Sequence, residues 1–198
     1  MRITEWLVVT ALLVGLAGCS SLQHKSTQEL EEETMQAMNK WFENKDVSSD
    51  ELQTSFENYF TSNGITETTD SEQEQYMDIL SFIREPDGFP PLKDKRKVLG
   101  MMKGLDINSQ DLERKNHLDY FYDIYLENKD AVDTTSTYYV FGATIETLHK
   151  IPRLSSPGLI AKTLQNQMEQ ADLNKELYQK TVMLLFYFDM AMHLRGKR

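Results

Sequence analysis

Apolar residues recur three or four positions apart along most of the chain from Thr27 onward, the spacing that lines one face of an α-helix. Leu30, Met38, Trp41 and Phe42 mark a first such face, Leu52, Phe56, Tyr59 and Phe60 a second, and Tyr76, Ile79, Leu80 and Ile83 a third. The punctuation between them agrees. Ser48-Ser49-Asp50-Glu51 is a capping box, in which the serine hydroxyl and the glutamate carboxylate serve each other's backbone N–H. Asn63-Gly64 supplies a residue that tolerates the left-handed turn ending a helix. Thr69-Asp70-Ser71-Glu72 opens the third segment, and Glu85–Pro91 breaks all periodicity through its prolines and glycine.

A short basic helix is expected over Leu92–Met102, where Lys93, Lys95, Arg96 and Lys97 form the one positive cluster of the chain before its C-terminal end. Asn108-Ser109-Gln110-Asp111 is expected to introduce a longer helix reaching about Asn128, carrying Leu112, Leu118, Phe121, Tyr122 and Tyr125. Over Asp133–Lys150 two signals compete. Tyr138-Tyr139-Val140-Phe141 has strand propensity, whereas Phe141, Ile145 and Leu148 continue at helical spacing, and helix is the favoured reading. Ser156-Pro157 pairs a cap with a first-turn proline. In the last segment, Leu173–Leu194, the run Val182–Phe188 is apolar on nearly every side, which predicts a central buried helix. The expected architecture is all-α, a single helical bundle or irregular array of about seven to eight helices over residues 29–198.

Charge narrows the function classes. The chain has 31 Asp+Glu against 21 Lys+Arg, a formal net charge of −10, and so lacks the basic surface that nucleic-acid phosphates require. A hydrophobic fraction of 40% is enough for a sizeable core. The single cysteine, Cys19, excludes a disulfide within the chain and any multi-cysteine zinc site.

That cysteine follows a charged lead (Met1–Trp6), an apolar stretch (Leu7–Leu16) and the small residues Ala17 and Gly18. The layout is that of a secretory signal peptide, and the apolar stretch is too short to span a bilayer. Leu16-Ala17-Gly18-Cys19 resembles the lipobox of bacterial lipoproteins. The resemblance implies cleavage between Gly18 and Cys19, diacylglycerol on the Cys19 thiol, and often acylation of the new amino group; two or three chains anchor a protein durably where one does not. The lead departs from the usual pattern in that Glu5 offsets Arg2. Residues 1–18 are thus expected to be removed and residues 19–28 to form a lipidated polar tether. Ser20 after the cysteine implies, by the same resemblance, an outer-membrane destination, or the cell surface if the source has one membrane.

Candidate chemistry in the mature chain is sparse. Glu146 and His149 stand three apart, as metal ligands on one helix face do, and Asp189 and His193 stand four apart; together they form a conceivable ligand set for a metal-assisted envelope enzyme. His117 and Asp119, two apart, face different sides and make no local dyad. No nucleophile elbow and no phosphate-binding glycine loop occurs. Tyr120, Tyr122, Tyr125, Tyr138 and Tyr139, with Phe121 and Phe141, are either core or an aromatic surface for a peptide, glycan or lipid. The reading these features support is a lipid-anchored envelope protein that binds a protein or peptide partner without catalysis or cofactor, of the general kind represented by pilotins, assembly factors and immunity proteins. The alternatives are the metal-assisted enzyme and a purely structural lipoprotein.

Overall fold

The structure is a computed structural model and describes residues 25–85, 89, 95–105, 115–151 and 156–194. Eight α-helices lie among the described residues, with no strand: α1 (Thr27–Phe42), α2 (Ser49–Ser62), α3 (Glu72–Arg84), α4 (Lys95–Gly104), α5 (Asp119–Asn128), α6 (Thr137–Lys150), α7 (Pro157–Gln167) and α8 (Glu176–Leu194). Two 3-10 turns, Asn116–Leu118 and Gln170–Asn174, precede α5 and α8. The all-α expectation holds. The lipobox, the cleavage position Gly18/Cys19 and the first part of the tether lie outside the described residues.

Local signals account for most helix ends. Capping boxes close at Ser26/Glu29, Ser48/Glu51 and Ser71/Glu74, and each holds its glutamate below the usual carboxylate range through the serine N–H and hydroxyl. The first moves a boundary: the tether ends before Ser26, so Thr27 and Gln28 belong to α1. Helix α2 ends in a Schellman turn, with Gly64 N–H donating to Thr61 O, Ile65 N–H to Phe60 O, and Gly64 at φ 71°. Ser156 caps α7, and Pro157 occupies its first turn. The Tyr138–Phe141 stretch is helical within α6.

Two expected segments differ. The helix expected over 108–128 is interrupted, because Lys115 sits in the left-handed region (φ 57°), followed by the 3-10 turn and then α5; residues 108–114 lie outside the described set. The last segment divides at Lys175, where an extended residue separates the second 3-10 turn from α8.

Helix α8 is the axis of the core. Every residue from Leu177 to Phe188 is buried, and α1, α2, α4 and the second 3-10 turn pack on it. An apolar helix without a polar face must be covered on all sides, and these neighbours supply the cover. Helix α3 lies along α7 and the second 3-10 turn, α5 along α1 and α6, and α6 along α7. Gly142 permits the close approach of α5 and α6: a Cβ there would stand 2.1 Å from the Tyr125 ring.

Candidate functional site

Between α6 and α7 runs an open groove of about 230 Å³. Val140, Ala143, Thr144, Thr147 and Leu148 form its α6 wall, and Leu159, Ile160, Thr163 and Gln167 its α7 wall. No lining residue is charged, in a chain of which 26% is charged. The threonines add little polarity. Thr144 Oγ1 donates to Val140 O at 2.7 Å, Thr147 Oγ1 to Ala143 O at 2.8 Å and Thr163 Oγ1 to Leu159 O at 3.0 Å, each satisfied by its own helix and leaving its methyl group for the groove. Leu159 is 55% exposed at the rim, and Ile151, just past the end of α6, is 45% exposed. The α6 wall follows from helical spacing. Tyr138, Phe141, Ile145 and Leu148 turn one stripe of α6 to the core, and positions 140, 143, 144 and 147 form a second stripe beside it.

At the C-terminal end of α6 a polar cluster ties α6 to α5. His149 stacks on Tyr122 with ring centroids 4.2 Å apart and 11° between planes. Its Nδ1 lies 2.9 Å from Ile145 O, and its Nε2 lies 2.8 Å from Asp119 Oδ1. Both ring nitrogens therefore face oxygen atoms, one on its own helix and one on α5. Glu146, three residues away, accepts from Lys150 at 2.6 Å and Lys129 at 3.1 Å, and these lysines hold it below the usual carboxylate range.

A second polar cluster is buried against α8. Lys115 Nζ donates to Asp189 Oδ2 at 3.1 Å and to Leu185 O at 3.2 Å. His117 Nε2 donates to Leu184 O at 3.1 Å, with its ring against Phe188 (centroids 4.4 Å apart). Its Nδ1 is buried without a hydrogen-bond partner among the described residues. Burial, then the Lys115 charge, pushes this imidazole well below its usual range, so it is neutral at neutral pH.

The sequence-derived metal set does not assemble. Glu146 and His149 are committed to separate partners on α5 and α6, and Asp189 to Lys115; the His193 side chain lies outside the described residues. No group of three His, Cys, Asp or Glu residues among the described residues is disposed to hold a metal ion.

The five tyrosines do not form a surface either. Tyr125 and Tyr138 are buried, Tyr138 stacking on Phe121 and sharing a 2.9 Å hydrogen bond with Thr34. Tyr120, Tyr122 and Tyr139 are half-buried, Tyr122 beneath His149 and Tyr139 edge-on to Tyr125. The Asp119–His149 pair spans 30 residues and the Lys115–Asp189 pair 74, so no local spacing announces them. The groove had a readable signal, the uncharged positions 140, 143, 144 and 147 at helical spacing, but the strand-or-helix ambiguity of that segment masked it. No family model, curated protein or solved structure matches this chain.

Proposed function

We propose that this chain is a lipid-anchored, non-catalytic binding module of the cell envelope, joined to its membrane through Cys19 and taking up an apolar segment of a protein partner in the α6–α7 groove. The observation that carries the reading is the groove itself: two helices present an uncharged, largely aliphatic trough to solvent, with Leu159 left more than half exposed at its rim. Helix-in-groove recognition uses such a trough, because a partner helix inserts residues spaced three and four apart between the two walls. Non-catalytic binding is supported by the commitments of the titratable side chains. His149 has both nitrogens engaged, and His117 is sealed against α8.

The anchor complements the groove. Fixing the module to a membrane raises the local concentration of envelope partners, so a trough of modest size suffices. The Leu16-Ala17-Gly18-Cys19 motif and Ser20 support attachment to the outer membrane facing the periplasm.

Two measurements test the reading. Cys19→Ser is expected to abolish acyl labelling and to release the protein from the membrane fraction; retention of the variant in that fraction overturns the anchor. A photo-crosslinking residue at position 159 is expected to trap one envelope protein in cells, while the same residue at exposed Asn166 traps none. An identical pattern at both positions overturns the groove.

A further inference from the structure

The groove does not end in neutral surface. At its Val140 and Gln167 end the chain leaves α7 through Met168 and Glu169, and the Glu169 N–H donates to Thr137 Oγ1 at the first residue of α6. Gln170, one residue further, lines a second cleft of about 350 Å³ with Asp70, Glu74 and Asp78. Gln167 and Gln170 are three residues apart, so their Cα atoms cannot be more than about 11 Å from each other. The end of the trough at Gln167 and the acidic cleft at Gln170 are thus close neighbours, with exposed Glu169 between them in the chain. Helix α7 is also tied to α3 beside the acidic cleft, since Gln165 Nε2 donates to Met77 O, and Met77 lines that cleft.

Among the described residues the acid at this end has no ion-pair partner. None of Asp70, Glu74, Asp78 and Glu169 forms an ion pair with a lysine or arginine among the described residues. Glu74 is occupied by its capping box and Asp70 by the Glu67 N–H, but Asp78 accepts no such bond among the described residues. Burial, then the charges of Asp70 and Glu74, raise the Asp78 carboxyl above its usual value. Cations brought to this cleft relieve that repulsion. At the opposite end, by contrast, Lys150 stands exposed beyond Thr147.

We infer that the partner segment is an amphipathic helix whose apolar stripe fills the α6–α7 groove and whose one end carries a cluster of lysines or arginines, seated over Glu169 and the Asp70–Glu74–Asp78 cleft. The inference rests on the groove being the binding site and adds the chemistry and polarity of what binds. Apolar contacts supply affinity, and the charged end sets orientation and speeds association.

The test uses the full chain reconstituted in phosphatidylcholine nanodiscs and fluorescently labelled helical peptides with a Leu/Ala stripe on a Gln background. One peptide carries four Lys at one end, a second four Glu, and a third the four Lys with the stripe replaced by Ser. The Lys-ended stripe peptide is expected to bind about tenfold more tightly than the Glu-ended one, with the difference collapsing near 0.5 M salt. Leu159→Glu is expected to weaken it about tenfold, and Asp78→Asn with Glu169→Gln to reduce the Lys-over-Glu preference to about twofold. Circular dichroism and thermal melting establish that these surface variants are folded.

Equal binding of the Lys- and Glu-ended peptides, still lost in Leu159→Glu, overturns the charge assignment and leaves the groove reading intact. Binding of the Lys peptides regardless of stripe and of Leu159 overturns both. Self-association of the chain that Leu159→Glu abolishes assigns the groove to a second copy and also overturns the inference.

Discussion

Helix α8 and the α6–α7 pair draw on the same apolar vocabulary and put it to opposite uses. From Leu177 to Phe188 α8 is covered on every side, and the lysines buried in or against it are paired: Lys180 reaches Asp50 at 2.6 Å and Ser49 Oγ at 3.0 Å, and Lys115 reaches Asp189. The α6–α7 pair leaves half-buried Ala143 and exposed Leu159 along a trough whose floor is formed by buried Val140, Leu148 and Ile160. Apolar surface enclosed by several elements is cohesion, whereas apolar surface where only two helices meet is available for recognition.

The contrast is broken or sharpened most directly by truncation. Phe186→Ala empties a fully buried site and is expected to cost about 3–5 kcal/mol, whereas Leu159→Ala is expected to cost under about 1 kcal/mol. Chemical denaturation of both variants decides it. Comparable losses mean that the groove is part of the core.

Acidification probes the α8 side. His117 is held neutral in the fold, while its unfolded-state pKa is about 6.5. Protons therefore bind the unfolded chain preferentially below that value, and stability falls as pH drops. Between pH 7 and pH 5 the expected loss is about 2 kcal/mol, and His117→Phe is expected to remove it. An unchanged difference between the two pH values in the variant assigns the loss to other groups.

Gly142→Ala improves helix propensity by about 1 kcal/mol, yet is expected to destabilise by about 1–3 kcal/mol because the new methyl meets the Tyr125 ring. A raised Tm would show that α5 and α6 separate at little cost. The smallest effect belongs to the groove's acidic end. Asp78 is ionised against its neighbours at neutral pH, so Asp78→Asn is expected to raise stability at pH 7, by no more than a few tenths of a kcal/mol given its exposure. The gain should vanish near pH 3, where the carboxyl is protonated in both states. A loss at pH 7 would reveal a cation partner for Asp78.

The features readable in advance are those that close over a few residues. Ser48 and Glu51 cap a helix within one turn, Gly64 ends one within three residues, and the run around Val182–Phe188 must be buried wherever its neighbours lie. The tyrosines show the boundary of such reasoning. Tyr138 and Tyr139 are adjacent and chemically identical, yet one is enclosed by Phe121 and Thr34 while the other is half-buried. The conceivable metal set met the same limit. Glu146–His149 spacing puts two ligands on one helix, but Lys129 and Asp119, brought by α5, took each of them first.

By itself, then, the sequence determined the helices, their caps, the burial of α8, the acidic balance and the motif around Cys19, all governed by chain-local sterics, hydrogen bonds and composition. Tertiary structure alone decided which apolar stripe of α6 was covered and which was left as a groove, that an acidic cleft adjoins it, and that Lys115 and His117 are buried against α8. Those outcomes depend on which helices meet across long separations, 74 residues for Lys115–Asp189, 88 for Gln165–Met77 and 104 for Thr34–Tyr138, where packing selects among faces that local spacing leaves equivalent.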